Sequence, residues 1–164
     1  MSIINNDRST ISTTEKNYAE VLNDLLRINH DRIEGYKRAM DELETDSGDL
    51  KTVFARMISQ SEKYAMHLTA AIAQLGEDTA KDTTLSGKIY RAWMDIKAGL
   101  SSNDRKSVLE NCEGGEDAAQ RAYKDAMDED LTSELFDMIQ TQQQELKNSH
   151  EEIKALRDAA KAAS

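Results

Sequence analysis

The chain has 164 residues, 31 of them acidic and 21 basic, for a formal net charge of −10. That balance argues against a generic nucleic-acid binder, whose footprint is basic. No run of ~18 apolar residues is present for a membrane span, and a single cysteine rules out an internal disulfide framework. Proline is absent and glycines number only seven, so the composition points to helix throughout. The opening Met-Ser-Ile-Ile-Asn-Asn-Asp-Arg has neither a basic start nor an apolar run of ~7–15 residues, and the expected compartment is the cytoplasm.

Residues 1–11 are polar and aperiodic and read as a loose tail. A single domain is expected over 12–161. Helix 1 is predicted from about Thr13 to Glu44, with Ser12 and Glu15 in the form of a capping box. Its apolar stripe is Tyr18, Leu22, Leu25, Leu26, Ile33, Tyr36, Met40 and Leu43. Helix 2 is predicted from Asp49 to Leu75, and Gly76 stands where a left-handed C-terminal cap is needed. Thr45-Asp46-Ser47-Gly48 is so short a joint that the two helices must be antiparallel neighbours. Residues 77–103 form a long crossover with its own amphipathic segment, about Leu85 to Leu100. Helix 3 is predicted from Asp104 to Met127 and helix 4 from Leu131 to Ala160, joined by the acidic turn Asp128-Glu129-Asp130. No segment alternates as a strand would. Short, long and short connections describe a ferritin-like four-helix bundle, all-α, with one crossover between helices 2 and 3 carrying an extra short helix.

Several polar residues intrude on the apolar stripes. On helix 4, His150 lies within about 40° of Leu146, bordered by Gln142, Gln143 and Ser149. On helix 3, Glu116 lies within about 40° of Cys112. On helix 1, Asn29 falls inside the stripe, His30 sits at its edge and Glu34 further round. On helix 2, Gln60 and Ser61 interrupt the stripe and His67 borders it. A buried carboxylate costs several kcal/mol unless it is paired or bound to metal, so this mid-bundle layer is either structural or a metal site, unless a bend of helix 3 at Gly114-Gly115 turns Glu116 out to solvent.

The first reading is structural: His150 and Glu116 pair with each other and with nearby glutamines, and fix helix register. The second is an iron or manganese site with Glu116, His150 and Glu34 or His30 as ligands, since carboxylate and imidazole suit those metals. Bundles that hold two such ions carry Glu-x-x-His on each of two helices. Here Lys147 stands three residues before His150, and Glu62 precedes His67 by five. Gly114-Gly115 can mark a kink or a close approach in helix 3. Cys112 reads as a buried small hydrophobe. Tyr90, Trp93 and Met94 either pack the crossover onto the bundle or form a homodimer patch.

Asn29-His30-Asp31-Arg32-Ile33-Glu34-Gly35-Tyr36, Trp93-Met94-Asp95-Ile96-Lys97, Glu113-Gly114-Gly115-Glu116-Asp117-Ala118-Ala119, His150 and Leu156-Arg157-Asp158 occur in that order. Together they resemble a bacterial family of uncharacterised stand-alone four-helix-bundle proteins in the ferritin-like superfamily. The resemblance covers about Tyr18 to Asp158 and implies the ferritin-like fold without assigning an activity. The expectation is therefore a binding or structural protein without catalysis of its own, its association with stress suggested by the superfamily. No cofactor is predicted under that reading, and iron or manganese under the alternative. An oligomeric assembly protein is the third reading.

Overall fold

The computed structural model describes residues 2–43, 47–77 and 105–163, with side chains from residue 17 onward. The described residues form four helices: α1 Ser2–Glu42, α2 Gly48–Gln74, α3 Arg105–Met127 and α4 Ser133–Ala163. Nearly all of the expected crossover, with Tyr90, Trp93 and Met94, lies outside the described residues, as does the 44–46 joint. Among the described residues no helix is long and apolar enough to cross a membrane.

α1 starts well before Thr13, and the stretch expected as a loose tail is helical from Ser2. No glycine or proline occurs between Ser2 and Arg32, so nothing stops the helix from extending upstream of its amphipathic part. The Ser12–Glu15 pattern therefore lies inside α1 and not at its start. α3 runs as one continuous helix through Gly114 and Gly115. α4 starts at a cap that periodicity alone does not reveal: the Leu135 N–H donates to Thr132 Oγ1 at 3.2 Å.

α2 stops where the sequence says it should. Gly76 has φ +76°. Its N–H donates to the Ala73 carbonyl at 3.0 Å, and the Glu77 N–H to Ile72 at 3.4 Å. These two bonds close a Schellman motif, which needs a left-handed residue at this position. A Cβ on Gly76 would meet nothing within 4 Å, so substitution carries only the backbone cost. Gly76→Ala is expected to lower stability by about 1–2 kcal/mol in urea unfolding. Gly114→Ala, on an open helical site, is expected to raise it by about 0.5–1 kcal/mol.

Side-chain pairs fix the packing. α1 meets α2 through Arg32 on Ser61 and Tyr36 on Phe54. α1 meets α3 through Asn29 on Tyr123 and Arg32 on Glu116. α3 meets α4 through Tyr123 on Gln142 and Glu113 on His150. α2 meets α4 through Arg56 on Glu152 and Tyr64 on Glu145. In each pair one sequence number rises as the other falls, so all four neighbouring pairs are antiparallel. α2 and α3 then point the same way, and Arg105 at the start of α3 sits 2.6 Å from Asp49 at the start of α2.

The apolar interior is in two parts. Leu22, Leu26, Leu68, Ile72, Ile139 and Leu146 pack towards one end of the bundle. Leu50, Phe54, Met57, Leu109, Cys112 and Ile153 pack towards the other. Each such side chain contributes about 1.5–3 kcal/mol by leaving water. Between the two lies a buried polar layer of Asn29, Arg32, Ser61, Glu116, Gln142 and Ser149.

Candidate functional site

The polar layer is built around Arg32. Among the described residues it is the largest fully buried side chain, and like its partner Glu116 it is 0% exposed. Arg32 Nε donates to Glu116 Oε1 at 2.7 Å. One terminal nitrogen donates to Ser61 Oγ at 2.8 Å and to the Met57 carbonyl at 3.2 Å. The other faces Met57 Sδ at 3.4 Å. Tyr36, one turn further along α1, donates its hydroxyl to the same Glu116 oxygen at 2.5 Å, and its ring lies 5.3 Å from the guanidinium carbon. A buried charge persists only when it is paired and hydrogen-bonded, and here three helices supply the partners.

The electrostatics follow from that geometry. Burial opposes the Arg32 charge, but Glu116 and Tyr36 more than offset it, and the pKa stands above its ordinary value. Burial, then the Glu116 charge, pushes the Tyr36 phenol well up. The Cys112 thiol is held well above its usual range by burial and then by Glu116, so it stays protonated, in keeping with a buried small hydrophobe. Burial also raises the Tyr123 phenol.

A second chain of bonds lies beside the first. Asn29 Nδ2 donates to the Leu25 carbonyl at 2.9 Å and to the Tyr123 hydroxyl at 2.8 Å. Tyr123 donates onward to Gln142 Oε1 at 2.6 Å. Asn29 Oδ1, Glu116 Oε2 and Gln142 Nε2 are buried without a partner. Asp31 is also buried, at 4% exposure, with Oδ2 unpartnered.

The four residues considered as metal ligands are dispersed. Glu116 faces α1 and is taken by Arg32 and Tyr36. His150 does not reach Glu116. Its Nε2 lies 3.1 Å from Glu113 Oε1, and Arg157 holds the other oxygen of Glu113 at 3.3 Å. The expected His150–Glu116 pair is thus corrected by one turn of α3. Glu113 stands about 60° round the helix from Glu116, enough to face α4 in place of α1. Glu34 is half exposed on the surface, 3.9 Å from Lys37. His30 is half-buried, and burial lowers its pKa while Glu34 partly opposes the shift. Among the described residues no three His, Cys, Asp or Glu side chains gather closely enough to hold a metal ion.

Arg32, Tyr36 and Tyr123 are the members of the layer that sequence reasoning missed. Arg32 lies within about 20° of Leu25 on the α1 wheel and about 40° from Tyr36, inside the apolar stripe, so the signal was available. Tyr36 and Tyr123 were placed in the core by their rings, and it is their hydroxyls that tie the layer together.

Residues 17–130 match the family described as Domain of unknown function (DUF2383). The match covers Asp31, Arg32, Glu116 and Tyr123 and ends before α4. No curated protein matches the chain. With more than half of its length in that match, the chain belongs to the DUF2383 family.

Proposed function

We propose that this protein is a ferritin-like four-helix bundle acting as a non-catalytic structural or binding protein, its centre closed by the Arg32–Glu116 ion pair. The ferritin-like connectivity is supported by the neighbour pattern. α1 stands beside α2 and α3, while α2 and α3 lie diagonally and share a direction, with residues 78–104 between them in the chain. An up-and-down bundle would set α2 beside α3, antiparallel.

One observation carries the non-catalytic reading: the cation at the central carboxylate is a side chain. Arg32 Nε sits 2.7 Å from Glu116 Oε1 with both groups out of water. Metal-carrying bundles direct several carboxylates and histidines to one such point. Here the donors number one carboxylate against one guanidinium, a poor fit to iron or manganese. Metal content tests this. Untagged protein purified without chelator, then loaded with iron(II) or manganese(II), should retain no stoichiometric ion after desalting. About one or two ions per chain, as in the two-metal bundles, and lost in Glu116→Ala, would contradict it.

A further inference from the structure

We propose that the groove between α2 and α4 is a binding site for a small zwitterion of the amino-acid class, with Gln142 in its lining. Of the four neighbouring helix pairs, α2 and α4 approach least closely. They meet through the polar bridges Arg56–Glu152, Gln60–Ser149 and Tyr64–Glu145. Beside the last bridge the seam opens into a groove of about 270 Å³. Lys63 and His67 line it from α2, and Asp137, Thr141, Gln142 and Glu145 from α4.

Gln142, which lines the groove, carries a donor without an acceptor. Gln142 is 2% exposed. Its Oε1 accepts from the Tyr123 hydroxyl at 2.6 Å, and that hydroxyl accepts from Asn29 Nδ2 at 2.8 Å. A tyrosine hydroxyl has one proton to give. With Asn29 donating to Tyr123, that proton goes to Gln142, which must present its oxygen there. Turning the amide over would leave the tyrosine proton without an acceptor. Gln142 Nε2 is therefore held on the side away from Tyr123, buried and unpartnered. A buried donor left unmade is a cost that an arriving acceptor relieves.

The surrounding charges select the ligand. An acceptor for Gln142 Nε2 is a carbonyl or carboxylate oxygen, and the Lys63 ammonium on the rim favours the carboxylate. Asp137 and Glu145 would repel a bare anion such as phosphate. Conversely, a bare cation would satisfy those acids and leave Gln142 as it is. A molecule with a carboxylate next to an ammonium meets both demands. The volume is just below the usual range for ligand pockets, which suits a ligand the size of an amino acid. Binding here does not involve Glu116 and is expected whatever the metal content of the bundle.

Titrating ¹⁵N-labelled full-length protein with each of the twenty common amino acids tests the proposal. Acetate, methylammonium and inorganic phosphate serve as separate probes. At least one amino acid should shift the Gln142 side-chain amide resonances saturably. Acetate or methylammonium alone should bind at least about tenfold more weakly, having lost one set of charge-assisted bonds. Gln142→Leu, followed through the backbone amides of Lys63 and Thr141 that line the same groove, should abolish binding. Lys63→Ala, a surface change that leaves the packing alone, should weaken it about tenfold. The proposal is overturned if no amino acid moves the Gln142 amide saturably, if acetate or phosphate alone binds as well, or if Lys63→Ala leaves the affinity unchanged.

Discussion

Replacing Arg32 by methionine is expected to destabilise the fold by about 3–5 kcal/mol, because it leaves Glu116 buried and unpaired. Against a typical domain stability of about 5–15 kcal/mol, that brings the chain close to unfolding at room temperature. The companion substitutions distinguish a lost contact from a stranded charge. Glu116→Leu added to Arg32→Met removes the stranded charge but leaves the Tyr36 hydroxyl without its acceptor. Adding Tyr36→Phe removes that group as well. Ser61 needs no correction: it lies four residues after Met57, so its hydroxyl can turn back onto the Met57 carbonyl that Arg32 vacates. The triple variant should therefore return to within about 1–2 kcal/mol of the parent, as apolar replacements of buried ion pairs commonly do. Urea unfolding of the single, double and triple variants measures this. A single variant within about 0.5 kcal/mol of the parent, as for an ordinary surface change, would show that the pair is not buried in solution.

The second large effect depends on pH. Asp31 is 4% exposed and its Oδ2 has no partner. Burial lifts its pKa to about 7, with Arg38 pulling partly the other way. In the unfolded chain the same carboxyl ionises near ~3.9. Between about pH 4 and pH 7 the folded state keeps a proton that the unfolded state has released, so folding stability falls as pH rises through that window and levels off above it. Asp31→Asn removes the ionisation and with it the loss. The variant should be more stable than the parent by about 2–4 kcal/mol at about pH 8, and nearly equal to it at about pH 4. All other titrating groups are shared, so the difference between the two curves isolates Asp31. A difference that stays flat with pH would contradict the assignment.

Periodicity made the helices readable, and turn chemistry made one end readable to the residue. Gly76 was expected as a left-handed cap and has φ +76°. The start of α1 was less visible, because a polar stretch without glycine or proline gives no signal that separates helix from tail. The candidate site was half visible. Glu116, Asn29, Ser61 and Gln142 stand out in the sequence as polar residues on or bordering apolar faces, and all four are buried. Their partners were not visible. A helical wheel gives the direction of a side chain from its own axis but not its height against a neighbouring helix. Glu113 and Glu116 differ by about 60° in direction and by about 4.5 Å along the axis, and that offset decides which of them meets His150. Arg32 is hard to read from sequence for a different reason. Arginine is almost never fully buried unless paired, and its pair is 84 positions away in the sequence. Asp31, beside it, is a carboxyl whose burial no apolar spacing signals.

The central claim is that the cation at Glu116 is the Arg32 guanidinium and not a metal ion. Crystals grown in manganese(II), with anomalous diffraction recorded at the manganese edge, test it most directly. The expected map shows Arg32 against Glu116, as in Nε to Oε1 at 2.7 Å, and no anomalous density at that carboxylate. Manganese bound to Glu116 with Arg32 swung away from it would contradict the account and return the bundle to the metal-dependent reading.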